Sequence, residues 1–368
     1  MDAWANRLLV KLLCHLALSC MPAIQTAGLG CRDDNGRGVE WFVLSKLPRL
    51  PTQSTPKSWL HLGLAYAYIT SSNRQLGWTL SSKSIADPES AAGRTLSPLY
   101  QSPSNERFYL LYNDEHPDGR TSFTHGHTKG VLSLDRTSGF WLIHSVPKYP
   151  PPLTNTSYGY PHTGRMYGQS FLCISVGTNV TADLIGRQLQ YHDPFIYDVF
   201  LPDWMNAVYP DLATLAHGGH DRVAPFAHQA VFPALDGRAY FVSFAKYTKY
   251  GQDLYDSMVA PGLRSGLLVE TWPNGPGKLN SSCQSQYEVE NVDAIELNFQ
   301  SKIQFSTHHD HSKWAIAIKK NRPFVCVGDI NRMESQKHRA GGTVCFMNLS
   351  VWKSYQGIIH QIETCPIS

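Results

Sequence analysis

The sequence has no excess of either charge: 32 Lys and Arg face 29 Asp and Glu, a formal +3 at pH 7 with histidine neutral. That balance is too small to argue by itself for a polyanionic partner. No run of about 18 or more uncharged apolar residues exists, so no segment reads as a membrane-spanning helix. Gly-x-Gly-x-x-Gly and phosphate-loop patterns are both missing, which removes support for a nucleotide cofactor. Low-complexity tracts and blocks of like charge are missing as well. What is present is 28 Gly and 23 Pro among 18 Tyr, 15 Phe and 9 Trp in 368 residues. That mixture excludes coiled coil, collagen and disordered polymer. It favours sheet-rich globular structure in two domains, or in two halves of one unit.

Residues 1–28 have the pattern of a secretory leader. Arg7 precedes the mostly apolar run Leu8–Leu18, and small residues around Thr26-Ala27-Gly28 offer a cleavage point. Lys11 and His15 interrupt the apolar run, so a buried N-terminal helix is the alternative. Removal of the leader takes Cys14 and Cys20 with it. The six cysteines left are Cys31, Cys173, Cys283, Cys326, Cys345 and Cys365. An even set in an exported chain suggests three disulfides, and spacing alone permits about 15 connectivities. Asn155, Asn179, Asn280 and Asn348 each open an N-x-S/T sequon, as expected of a glycosylated, exported protein. A secretory or lysosomal destination follows.

Short strand-like runs dominate: 41–44, 64–69, 108–112, 130–134, 140–143, 171–176 and 240–244, separated by Pro, Gly, Asn and Ser clusters. Helical patterns are fewer, at 183–191 and 251–263. One internal repeat carries more weight. His127-Thr128-Lys129-Gly130-Val131-Leu132-Ser133-Leu134 matches His311-Ser312-Lys313-Trp314-Ala315-Ile316-Ala317-Ile318 in residue type, starting 184 residues later. Without a gap, a polar turn follows in each copy, then Phe140–Ile143 over Phe324–Val327. Each copy predicts a hairpin, and the spacing of half a chain predicts a duplicated fold.

In a strand, residues i and i+2 share a face. His127 therefore projects with Lys129, and His311 with Lys313. Two imidazoles and two ammonium groups in one cleft suit metal-free phosphodiester chemistry. One histidine attacks phosphorus, the other protonates the leaving alkoxide and later activates water, and the lysines neutralise the non-bridging oxygens. With 16 His in the chain, about 0.6–0.7 His-x-Lys triplets are expected by chance. The paired hairpin context, not the count, is what makes the two informative. His125-Gly126-His127 and His309-Asp310-His311 offer a rival: His-x-His is also a transition-metal spacing, which would make a metallohydrolase. The lysine two residues beyond each pair puts a cation on the ligand face and argues against it. Asp310 is expected on the opposite face as a solvated carboxylate.

The segments 126–131 with 140–147, and 310–314 with Gly328-Asp329-Ile330-Asn331-Arg332, closely resemble the deoxyribonuclease II (acid DNase) family. Further similar stretches are 39–43, 93–96, 111–114, 168–170, 243–246 and 253–255, so the likeness runs from about Cys31 to Cys365. It is nearer the alpha, lysosomal form than the beta form. The resemblance implies an α/β, phospholipase D-like fold. Two duplicated halves, 29–190 and 191–368, would each hold a central mixed sheet flanked by helices, with the active site at their shared cleft. It also implies endonucleolytic cleavage of double-stranded DNA without divalent cations or any other cofactor, leaving 3′-phosphate and 5′-hydroxyl ends. The family's essential histidines fall on His127, His144 and His311 and its lysines on Lys129 and Lys313. His144 and Asn331 are expected to contact phosphate or orient other groups. The superfamily's aspartate five residues after the lysine is replaced by Leu134 and Ile318, so the group that orients each imidazole is open.

The family's disulfides would pair Cys31 with Cys173, Cys283 with Cys365 and Cys326 with Cys345. A thiol that the family often carries near the site is replaced by Ala315. Outside the leader 15 His remain, so acidification is expected to add up to about 15 charges and favour binding to a DNA backbone. Other functions compatible with the residues are a phospholipase D-like esterase on another phosphodiester and an inactive, secreted DNA-binding or toxin-like relative.

Overall fold

The computed structural model describes residues 28–50, 58–101, 104–363 and 365; the expected leader lies outside them, apart from Gly28. Among the described residues seventeen strands, β1 to β17, form two sheets with few helices. The first sheet holds β1 Trp41–Lys46, β2 Tyr66–Thr70, β3 Thr79–Leu80, β4 Phe108–Asn113, β5 Lys129–Leu134, β6 Ser138–His144, β7 Gln169–Gly177 and β8 Ile196–Phe200. The second holds β9 Ala227–Pro233, β10 Tyr240–Lys246, β11 Leu267–Thr271, β12 Val289–Asn298, β13 Lys302–Ser306, β14 Lys313–Ala317, β15 Phe324–Gly328, β16 Gly341–Met347 and β17 Ile359–Glu363.

Spatial order exposes the duplication. The first sheet runs β3-β2-β1-β7-β6-β5-β4-β8; the second, taken from its other edge, runs β9-β10-β16-β15-β14-β11-β12-β13. The hairpins β5–β6 and β14–β15 occupy equivalent places, next to β7 and β16 and then β1 and β10. The match is incomplete in strand direction. Every pair of the first sheet is antiparallel, whereas β11 and β12 are parallel. The expected mixed sheet is thus found only in the second half. A parallel neighbour needs a crossover connection, and the segment between β11 and β12 supplies one; β8 instead returns from a helix to run against β4. Residues 196–200 also belong to the first sheet, so the chain passes between sheets after Phe200 and not at residue 190.

The hairpin sequences read as nearly continuous apolar runs because both faces are buried. Along β6, Trp141 and Ile143 enter the core shared by the two sheets, while Phe140 and Leu142 enter an outer core with Ala91, Ala92 and Leu96. Along β15, Val325 and Val327 face the shared core, and Cys326 faces an outer core with Leu254, Tyr255 and Val259. The sheets touch directly where the Trp41 and Phe346 rings lie 5.0 Å apart. Helix Val180–His192 adds Ala182, Ile185 and Leu189 to this shared core, and helix Leu349–Gln356 adds Val351, Trp352 and Tyr355. The helix expected over 251–263 forms only from residue 255, as a π-turn and then a short α-helix, because Gly251 turns the chain at φ +70°. No helix among the described residues is long and apolar enough to cross a membrane.

The three disulfides are Cys31–Cys173, Cys283–Cys365 and Cys326–Cys345. Asn155, Asn179 and Asn280 are exposed and Asn348 is half-buried. Asn179 and Asn348 cap their helices through Oδ1, which leaves Nδ2, the glycan-bearing atom, out of the cap. Cys31–Cys173 spans 142 residues. Replacing both with serine should therefore cost about 3–5 kcal/mol of stability and lower the melting temperature at unchanged far-UV circular dichroism, measured by a thermal scan.

Candidate active site

The two His-x-Lys segments meet where β5 and β14 begin. Each histidine is held twice by the opposite half of the chain. His127 donates its backbone N–H to the Ala340 carbonyl at 2.9 Å, and His311 donates to the Gly168 carbonyl at 2.9 Å. Ala340 and Gly168 are the residues just before β16 and β7. The rings follow the same rule: His127 Nδ1 lies 2.7 Å from the Asp329 carbonyl, and His311 Nδ1 lies 2.9 Å from the Ser145 carbonyl. Asp329 and Ser145 are the first residues after β15 and β6. A carbonyl can only accept, so both rings carry their proton on Nδ1 and present a bare Nε2 when neutral. The orienting groups left open by the sequence are these carbonyls. Gln169 Oε1, 3.3 Å from His311 Nδ1 and 2.6 Å from Ser145 Oγ, supports the second one.

Close backbone approach explains two glycines. A side chain at Gly126 would meet the His192 carbonyl at 1.9 Å, and one at Gly168 would meet Asp310 Oδ1 at 2.2 Å. Gly126 N–H donates to the Asp193 carbonyl at the end of helix Val180–His192, so that helix end sets the approach to His127.

The surroundings of the two rings differ. Asp114, just past β4, bonds Lys129 Nζ and lies 3.8 Å from His127 Nε2 and 3.5 Å from the Arg339 guanidinium. At the equivalent place past β11 stands Trp272, whose ring meets His311 edge-on at 4.2 Å. Lys313 Nζ donates to the His311 carbonyl at 2.7 Å. Asp329 accepts from Thr128 Oγ1 at 2.7 Å and, more weakly, from Lys129 N–H at 3.4 Å. Asp114, Trp272, Asp329, Ser145, Gln169 and Arg339 had no role by sequence. Their contacts span 15 to more than 200 residues, and the only signal was that several fall inside family-like stretches.

Burial holds both imidazoles well below their ordinary value near 6.5, and the Lys129 and Lys313 ammonium groups push in the same direction. Burial also pushes the Asp329 carboxyl up to about 7, and lowers Lys313 to about 7 with Lys129 beside it. Asp310 is not the solvated carboxylate expected. It is buried, accepts from Ser312 N–H and Oγ at 3.0 and 2.6 Å, and is raised by that burial.

His144 is fully buried between Tyr149 and Phe171, with Nδ1 accepting from Val146 N–H at 3.2 Å. It therefore holds the turn that carries Ser145 and faces no open cleft. Asn331 is buried two residues beyond Asp329, its Oδ1 without a hydrogen-bond partner among the described residues. The remaining His-x-His members turn elsewhere: His125 to Ser122 Oγ at 2.8 Å, His309 to Ser306 Oγ at 3.3 Å. Among the described residues no three His, Cys, Asp or Glu side chains converge to hold a metal ion. Charging by acid is narrower than expected. His162, His217, His308, His309, His338 and His360 are exposed, but His116, His144, His192 and His311 are buried, and His192 is lowered to about 3 by burial alone.

Removing the Asp114 charge leaves Lys129 and Arg339 facing His127 unopposed. Asp114→Asn should lower the apparent pKa of His127 further and leave His311 nearly unchanged. The pH dependence of carbethoxylation, which needs neutral imidazole, checks this when mapped to each histidine.

The family model for deoxyribonuclease II matches residues 30–365. Deoxyribonuclease-2-alpha of Mus musculus is 39% identical over 95% of this chain and 97% of its own length. Plancitoxin-1 of Acanthaster planci is 36% identical over 97% and 99%. Deoxyribonuclease-2-beta of Homo sapiens is 35% identical over 98% of each chain. With two hairpins that present a matched pair of histidines and a match spanning both halves, the chain belongs to the deoxyribonuclease II family of enzymes.

Proposed function

We propose that the protein is an acid endonuclease that hydrolyses double-stranded DNA without a divalent metal, through a phosphohistidine, leaving 3′-phosphate and 5′-hydroxyl ends. The observation that carries this reading is the pair of Nδ1-anchored imidazoles, one from each half, each with a lysine two residues on. Nε2 of one histidine attacks phosphorus; a P–N bond forms and the P–O5′ bond breaks. The other histidine, as imidazolium, gives its proton to the departing 5′-oxygen. Water then attacks phosphorus, the P–N bond breaks, and the second histidine, now neutral, takes the water proton. Lys129 and Lys313 stabilise charge on the non-bridging oxygens. Asn331 contacts phosphate, and His144 orients the Ser145 turn.

The chemistry needs one neutral and one protonated imidazole. Because burial and the lysines depress both rings, that mixed state is populated only in acid, below the ordinary histidine range. Three disulfides and three exposed sequons support function in a lysosome or outside the cell after export. The repeated strand order fits the phospholipase D-like, two-half architecture.

Plasmid cleavage should peak below pH 6.5 and survive excess chelator, and end-labelling should find 3′-phosphates. Loss in chelator with rescue by zinc would replace this reading with the His-x-His metal site. Cleavage of a lipid phosphodiester in preference to DNA would replace the substrate.

His127→Asn and His311→Asn should each lower turnover by at least about 10³-fold in protein that melts as the parent does. Phosphate trapped by acid quench should map to one of the two histidines and identify the nucleophile. Near-parental activity in either variant would end the two-histidine mechanism.

A further inference from the structure

Two lysines outside the histidine pair repeat one arrangement in both halves. Lys46 ends β1 and Lys246 ends β10, strands with equivalent places in the two sheets. Both are fully buried. Lys46 Nζ donates to the carbonyls of Tyr167, Arg165 at 3.1 Å and Gly63 at 3.4 Å. Lys246 Nζ donates to the carbonyls of Arg339, Gln336 at 2.9 Å and Lys337 at 3.1 Å. An ammonium has three N–H donors, so each is saturated by three carbonyls. Asp310 lies in the field of Lys46, and Asp253 and Arg339 in that of Lys246, but no carboxylate is bonded to either among the described residues. The carbonyl cage, not an ion pair, is therefore what each ammonium serves.

The place of the cages gives them a purpose. Tyr167 precedes Gly168, whose carbonyl receives His311 N–H, and Arg339 precedes Ala340, whose carbonyl receives His127 N–H. In the ladders Lys46 stands opposite Gln169 and Lys246 opposite Gly341, the first residues of β7 and β16. Arg165, Tyr167 and Arg339 lie outside helices and strands, and Gln336 and Lys337 end the short helix Glu334–Lys337, so without the ammonium groups these interior carbonyls lose a donor, although Gln336 keeps the Arg339 N–H at 3.2 Å. We propose that Lys46 and Lys246 are positioning residues, each fixing the strand entry that clamps the histidine of the opposite half: Lys46 sets His311 through Gly168, and Lys246 sets His127 through Ala340. Neither lysine touches the reacting atoms.

The effect on turnover rests on the histidine-pair mechanism proposed above; the crossed wiring does not. The test therefore reads both. Lys46→Met and Lys246→Met keep an unbranched side chain, one atom shorter, and remove its donors. Carbethoxylation of the purified, folded protein, mapped by peptide mass, should change severalfold at His311 in K46M and at His127 in K246M, with the other histidine within about twofold. Turnover on plasmid DNA in acid should fall on the order of 100-fold, as for a small misplacement of a reacting group, with KM within about threefold. Lys46→Gln and Lys246→Gln, which retain two N–H donors, should recover part of the turnover, and they carry the same mapping where a Met variant does not fold. A response at the histidine of the same half, at both or at neither, or a loss confined to KM, overturns the proposal. If H127N and H311N prove active, the carbethoxylation pattern still decides the wiring.

Discussion

Each imidazole gives its Nδ1 proton to a backbone carbonyl of the opposite hairpin, and the rest of the site depends on that exchange. A carboxylate in this position would hold the ring and also stabilise imidazolium. A carbonyl holds the ring and the tautomer without adding a charge, and it does not titrate. The tautomer is thus independent of pH, while burial and two ammonium groups are left to keep the rings neutral into acid. Sheet packing enforces the geometry, because Ser145 and Asp329 follow strands that are buried on both faces. The duplicated fold brings one such carbonyl to each histidine. Its departures from symmetry, Asp114 against Trp272 above all, make two similar histidines chemically unequal.

Much of this was legible in residue order. The hairpins were readable because an apolar run, a polar turn and a second apolar run recur without a gap, and six of the seven strand-like runs lie wholly in strands, 64–69 only from Tyr66 on. His127, Lys129, His311 and Lys313 were readable because their spacing is local. The pairing of whole sheets was not: β8 joins β4 across more than 80 residues, and nothing in Ile196–Phe200 says so. Asp310 was misjudged because period-two reasoning gives a direction and not a depth; the residue does leave the lysine face, but into the interior beside Gly168. His144 shows the same limit. Its position near the motif was visible, whereas its burial against Tyr149 and Phe171 depends on a fold that brings those rings to it.

The interior holds two sets of groups that answer acid in opposite senses. Asp329, pushed up to about 7, and Asp310 and Glu270, also raised by burial, bind protons at higher pH when folded than when unfolded. They favour the fold as pH drops from about 7 through the ordinary carboxyl range near 4. His127, His144, His192 and His311 are depressed, so below about 6.5 the unfolded chain takes up protons that the fold refuses. These terms oppose each other over one window. Imidazoles that burial holds neutral into acid thus sit beside carboxyls that become neutral in the same conditions.

All three disulfides stay within one half: Cys31–Cys173 in the first, Cys283–Cys365 and Cys326–Cys345 in the second. The halves are joined by residues 217–226, largely surface-exposed, between helix Pro210–Ala216 and β9. A single backbone cut there severs the only covalent link between the two histidines among the described residues and leaves the shared core untouched. The product would be a two-chain protein that keeps its site in native solution, yet separates into two bands under denaturing conditions even before reduction.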